Sequence, residues 1–159
     1  MQFINFKQKG KCNRYRCSQC ANTRESTSFS STNTKEVFSL RYHTNCVSTD
    51  VIYLITCKKC NMQYIGQTLQ QVSKRMNNHR CHIKNYRDPQ FSSNISTHFN
   101  TNNHFLLDFS FMRIDIVRGD MNRLIKETYW MYKLDTLYPN GLNTNALYEI
   151  AYFFLIYFF

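Results

Sequence analysis

Residues 51–66 read VIYLITCKKCNMQYIG, and this stretch decides the fold. Residues 51–57 are β-branched and aromatic, which predicts a strand. MQYIG at 62–66 predicts a second, short strand, and the residues between them carry the turn. Strands joined so closely pair antiparallel. The hairpin therefore bears a tyrosine on each arm, Tyr53 and Tyr64, and a Cys-x-x-Cys, Cys57 and Cys60, at its tip.

Working outward, residues 68–83 place Leu69, Val72, Met76 and Ile83 at helical spacing, with Thr68 as the N-cap. Residues 92–104 predict a short helix and loop, and 105–117 alternate as a strand. Residues 119–141 predict a long helix opened by Asp120 and closed by Pro139, Asn140 and Gly141. The order strand, strand, helix, helix, strand, helix makes a small α/β sandwich of mixed order. Residues 1–48 are read as a cysteine-rich, zinc-binding segment, 49–145 as the main domain, and 146–159 as an aromatic-rich tail. Within the first segment, NTRESTSFSSTNT at 22–34 has little to bury and predicts a loop.

The chain has 159 residues, one domain with room for a small appendage. Twenty Lys and Arg against ten Asp and Glu give a formal charge of +10. That excess favours a polyanionic partner, because basic side chains along phosphates release condensed counterions. The charges are scattered rather than blocked, so they point to nucleic acid only weakly. The N-terminal MQFINFKQKGKC has no long apolar core and no small-residue cleavage site, so no secretory signal is expected. The terminal AYFFLIYFF is far short of the roughly 20 residues that span a bilayer, so no membrane role is expected. It reads as a stray extension of a gene model rather than as a last buried strand or an interfacial segment.

Seven cysteines are many for this length. Without an export signal, metal ligation explains paired cysteines better than disulfides do. Cys57 and Cys60 at a hairpin tip have the geometry of a zinc knuckle, and a tetrahedral site needs two more ligands. His98 and His104 on the short helix and its exit loop supply them, with His79 and His82 as competitors. A second set is Cys12, Cys17 and Cys20, completed by Cys46 or by its rival His43. Residues 1–46 hold too few large apolar residues for a core, a lack that a metal can make good. All of this set precedes the first strand, which predicts that the rest folds without it. Cys81 is left over, as a buried or spare thiol.

On the long helix, Leu124, Trp130, Met131, Leu134 and Leu137 share a face, with Glu127 in its middle. A lone carboxylate there costs several kcal/mol unless it is paired, protonated or metal-bound. Two readings stand: a metal ligand or general acid/base, or a carboxylate that snorkels to the edge of a wider stripe. Arg75 and His79, four apart, share a face of the earlier helix.

Taken in order, VIY at 51–53, YIG at 64–66, RMNNH at 75–79, ETYWM at 127–131 and GLN at 141–143 resemble the motifs of the GIY-YIG nucleases. The resemblance implies a three-stranded antiparallel sheet flanked by helices and a DNA cleft on one face. It makes Tyr53 and Tyr64 the motif tyrosines, Arg75 the family arginine, Glu127 the ligand of a Mg²⁺ (or Mn²⁺) ion, and Asn143 the late asparagine. His79 matches an assisting histidine of some members. Val51 stands where the first motif has glycine. The function implied is metal-dependent DNA endonuclease, hydrolysing a phosphodiester and leaving a nick. With Cys57 and Cys60 between the tyrosines and His98 and His104 downstream, the chain looks most like the endonuclease of Penelope-like retroelements. There a reverse transcriptase lies upstream and the site of action is nuclear. On that reading the chain is a fragment, a solo remnant or a gene model of the terminal domain. A DNA-repair nuclease of the same fold and an inactive zinc-stabilised DNA-binding remnant are the alternatives.

Overall fold

In the computed structural model of this chain, residues 11–12, 14–101 and 103–144 are described; the tail at 146–159 lies outside them. Two short strands come first, β1 (Ser28–Ser30) and β2 (Val37–Ser39). There follow β3 (Val51–Cys57), β4 (Gln63–Thr68), α1 (Val72–Lys84), α2 (Asn94–Thr101), β5 (Phe109–Ile116) and α3 (Asp120–Leu134). The main sheet has the order β4-β3-β5, antiparallel throughout. The expected three-stranded antiparallel sheet flanked by helices is therefore present.

The central strand β3 is buried along its whole length, which is why it reads as an almost unbroken apolar run. Its alternation divides the core. Val51, Tyr53, Ile55 and Cys57 pack with Val72, Met76 and Ile83 of α1 and Ile95 and Phe99 of α2. Ile52 and Leu54 pack with Trp130 and Leu134 of α3 and with Phe29 of β1. Beside Tyr53 the β3–β5 register shifts between Ile52 and Tyr53, so that Ile52 opposes Asp115 while Tyr53 opposes Arg113.

Several local expectations are corrected. Thr68 ends β4 instead of capping a helix; its hydroxyl bonds the backbone of Gln70, and α1 begins at Val72 after Gln71. Leu69, expected on the apolar stripe, is exposed. Gly119, at φ 89°, is the N-cap of α3, and Asp120 is its first residue. The helix stops at Leu134, where Asp135 turns left-handed at φ 52°, so Leu137 lies beyond it. Cys81 is exposed.

The Ser/Thr/Asn-rich stretch is not merely a loop. Ser28, Phe29 and Ser30 pair with Ser39, Phe38 and Val37. Phe29 and Phe38 stack at 5.5 Å and both meet the Trp130 ring edge-on, at 5.0 and 5.2 Å. Ser31 and Asn33 also bond the backbone of the α3 terminus. This hairpin thus covers the α3 side of the sheet, and the expectation that the rest folds without residues 1–46 has these contacts against it. Alternating serines hid it, because only one residue in each strand faces inward. Among the described residues no helix is long and apolar enough to cross a membrane.

Candidate active site and metal centres

Tyr53 and the α1 residues Arg75 and His79 meet at one oxygen. The Tyr53 hydroxyl lies 2.8 Å from His79 Nε2 and accepts from Arg75 Nε at 3.0 Å. Burial, reinforced by the charge of Arg75, lowers His79 to about 3, so the imidazole is neutral, and the tautomer with a bare Nε2 accepts a hydrogen bond from the phenol. Burial also pushes the Tyr53 phenol well above its ordinary range, with Arg75 opposing. The tyrosine is therefore a fixed hydrogen-bonding post: it shares a hydrogen bond with His79 and accepts one from Arg75. Burial lowers Arg75, but Tyr53, Tyr64 and Glu127 together raise it, and its two terminal nitrogens have no hydrogen-bond partner among the described residues.

Tyr64 stands differently. It is half-buried, and its pKa is raised by burial and by Glu127, against Arg75. With Arg75, Asn78, His79, His82, Ser93, Asn94 and Ile95 it lines a cavity of about 290 Å³. The two motif tyrosines thus divide: Tyr53 is sealed inside, Tyr64 borders open space.

Glu127 reaches the site from the other side of β4. Its Oε2 accepts from Gln67 Nε2 at 3.0 Å, and Gln67 Oε1 accepts from Arg123 Nε at 3.0 Å. Arg123, buried at 4% exposure, is ion-paired to Asp50 at 2.8 Å and to Asp120. These bonds set the Gln67 amide and aim the Glu127 carboxylate. The helix face therefore carries Arg123 one turn before Glu127, and the stripe around the acid is polar at that end. Burial raises Glu127 to about 7, with Gln67 and Arg75 pulling the other way. Gln67 and Arg123 were missed at sequence level; the legible signal was the four-residue spacing of Arg123 and Glu127.

Asn143 is placed elsewhere. Its Oδ1 accepts from Ile65 N and Thr136 Oγ1, both at 2.8 Å, and its Nδ2 donates to Ile65 O at 2.8 Å. This buried amide satisfies the free edge of β4 beside Tyr64, and it holds the strand rather than lining the cavity. Gly141 permits the turn, since a Cβ there would strike the backbone of Thr136.

Among the described residues two clusters could hold a metal ion: Cys12, Cys17, Cys20 and Cys46, and Cys57, Cys60, His98 and His104. In each, the ligand atoms lie within 4.8 Å of one another. At the hairpin tip, Cys57 Sγ is 3.8 Å from His104 Nδ1, Cys60 Sγ 3.5 Å from His98 Nε2, and the two histidine nitrogens 2.9 Å apart. Lys59 fastens the same tip to Asn103 O at 2.5 Å. In the first cluster, Cys20 Sγ is 3.6 Å from Cys12 Sγ and 3.8 Å from Cys46 Sγ. His43 and His79, the rivals, belong to neither group, and nor does His82.

Residues 50–135 match the family model of the GIY-YIG catalytic domain. Searches of the curated proteins and of the solved structures found no match. The matched region holds both tyrosines, Arg75, His79, Glu127 and the hairpin-tip cluster. Covering more than half of the chain, it shows that this protein belongs to the GIY-YIG nucleases, a family of metal-dependent enzymes that act on DNA.

Proposed function

We propose that this protein is an active DNA endonuclease that hydrolyses one phosphodiester at a time and leaves a nick. The observation that carries the reading is the Tyr53 hydroxyl bridging Arg75 and His79. That bridge holds the guanidinium by its Nε, so that its terminal nitrogens, unpartnered among the described residues, would grip two phosphate oxygens. Tyr64, at the cavity, orients the attacking water by hydrogen bonding; its raised pKa keeps the phenol protonated. Tyr53, buried and doubly bonded, positions Arg75 and does not meet the water. A Mg²⁺ (or Mn²⁺) ion would supply charge neutralisation at the leaving 3′ oxygen. Glu127 fits it: a single carboxylate oriented by Gln67 through one oxygen, leaving the other for a hard cation that keeps most of its waters.

The two cysteine clusters fit Zn²⁺. Bond lengths around tetrahedral zinc imply separations of about 3.8 Å between two sulfurs and about 3.5 Å between sulfur and nitrogen. The spacings of 3.6 and 3.8 Å in one cluster and 3.8 and 3.5 Å in the other lie close to these. Zinc at the hairpin tip would tie both tyrosine-bearing strands to α2. The ligand order, two cysteines between the tyrosines and two histidines after them, supports a place among endonucleases of Penelope-like retroelements. A reverse transcriptase joined upstream and a nuclear site of action follow from that placement.

Metal analysis and a plasmid-nicking assay on the purified chain test the reading. Two zinc ions per chain and Mg²⁺-dependent conversion of supercoiled to open-circular DNA are expected, with Glu127→Gln inactive. No nicking in Mg²⁺ or Mn²⁺ would overturn the endonuclease assignment.

A further inference from the structure

The four-cysteine cluster is fastened to the elements that build the active site. Helix α1 has no side-chain N-cap. Its first amides find backbone carbonyls instead: Val72 N donates to Ser48 O at 3.0 Å and Ser73 N to Cys46 O at 2.9 Å. A helix leaves its first four N–H groups without intrahelical partners, so a cluster ligand's own carbonyl serves as a cap. Arg75 follows two residues later and His79 six residues later.

Two further ties run the same way. Between Cys17 and Cys20, Gln19 is 1% exposed and its Nε2 donates to Asn77 Oδ1 of α1. Arg80, also on α1, donates to Ser18 O at 3.4 Å. On β5, Arg113 is 4% exposed; its Nε donates to Thr44 Oγ1 at 3.3 Å and its Nη1 lies 4.0 Å from Cys46 Sγ. The same Arg113 is the cross-strand partner of Tyr53. Four thiolates around a divalent ion carry a net charge of about −2, and a buried guanidinium beside them offsets part of it.

We propose that a soft divalent ion, zinc by its donor set, held by Cys12, Cys17, Cys20 and Cys46, seats α1 and so positions Arg75, with Arg113 as the buried counter-charge. Without the ion, the Cys46 backbone is tied to the other three cysteines only by weak thiol contacts, and the cap on α1 loosens. The effect on activity rests on the nuclease reading above; the effect on the helix does not.

The test uses the full chain carrying Cys12→Ser, the ligand remote in sequence from the capping carbonyl. Zinc content, hydrogen exchange and Mg²⁺-dependent nicking are measured. One zinc fewer is expected, with residues 72–79 exchanging at least tenfold faster and residues 120–134 unchanged. Nicking should fall, and Arg75→Ala should cost less in this background than in the parent. Cys12→His, which restores a ligand, should recover zinc and protection together. Loss of the ion with unchanged exchange at 72–79 would overturn the proposal. So would an unchanged zinc count, or loss of protection along the whole chain, which would make the ion a global folding element. If the parent does not nick, the nuclease reading fails while the exchange result still decides how α1 is seated.

Discussion

The ring of Tyr53 occupies the space that a side chain at residue 66 would need. The two residues face each other across β3 and β4, and a Cβ built on Gly66 would lie well under 3.0 Å from the Tyr53 hydroxyl and ring. The glycine of the second motif thus exists to let the tyrosine of the first lie flat on its neighbour's backbone, pointing its hydroxyl at α1. Gly66→Ala should therefore cost about 1–3 kcal/mol by overpacking and lose nicking, because the Tyr53 oxygen that holds Arg75 must move. Chemical denaturation and a nicking assay check this; a variant as stable and active as the parent would show that the ring can shift freely.

Glu127→Gln should reduce nicking on the order of 10³-fold, about 4 kcal/mol of transition-state stabilisation, while DNA binding persists. The same substitution has a stability signature. Burial raises the folded carboxyl to about 7, above its ordinary value of 4.5. A raised acid contributes stability that is complete below pH 4.5 and lost as pH rises through 7. Without divalent ions, Glu127→Gln should then raise the melting temperature at pH 8 and leave it nearly unchanged at pH 4. In the parent, Mg²⁺ should protect more at pH 8 than at pH 6. Calorimetry at these pH values decides it.

Arg75→Lys should recover only part of what Arg75→Ala loses. The Nε bond to Tyr53 at 3.0 Å and a two-pronged grip on phosphate both need the planar guanidinium, and an ammonium supplies neither together. Full activity in the lysine variant would show that charge alone matters there. Steady-state nicking rates at fixed salt make the comparison.

Cys57→Ser should remove one zinc ion and lower the melting temperature and activity together. Its thiol joins the end of β3 to His104, and metal-binding energy is folding energy where a site is not formed in the unfolded chain. Exposed Cys81 provides the control: Cys81→Ser should keep both ions and the parent's melting temperature.

Phe29→Ala should destabilise the protein by about 3–5 kcal/mol. Phe29 is 5% exposed and packs at 5.0 Å against Trp130, so its loss opens the core on the α3 side. Deleting residues 1–46 should for the same reason leave a poorly folded chain. A truncated protein that melts like the parent would show that this hairpin is only an attached flap.

The sequence by itself determined the local elements and their chemistry. Strand period, β-branched residues and a short turn announce the tyrosine hairpin, because each is a property of neighbouring residues. Cys-x-x-Cys announces a knuckle for the same reason, and four-residue spacing places Arg75 and His79 on one face. Tertiary structure decided whatever depends on residues far apart in the chain. It chose Cys46 over His43, and His98 and His104 over the other histidines, since only folding brings ligand atoms within 4.8 Å. It separated the roles of two similar tyrosines, one sealed under Gly66 and one at a cavity. It made Asn143 a clamp on β4, and linked Glu127 to Asp50 through Gln67 and Arg123. It also turned a serine-rich stretch into a hairpin, because burying Phe29 and Phe38 on Trp130 outweighs the weak local preference of the serines around them.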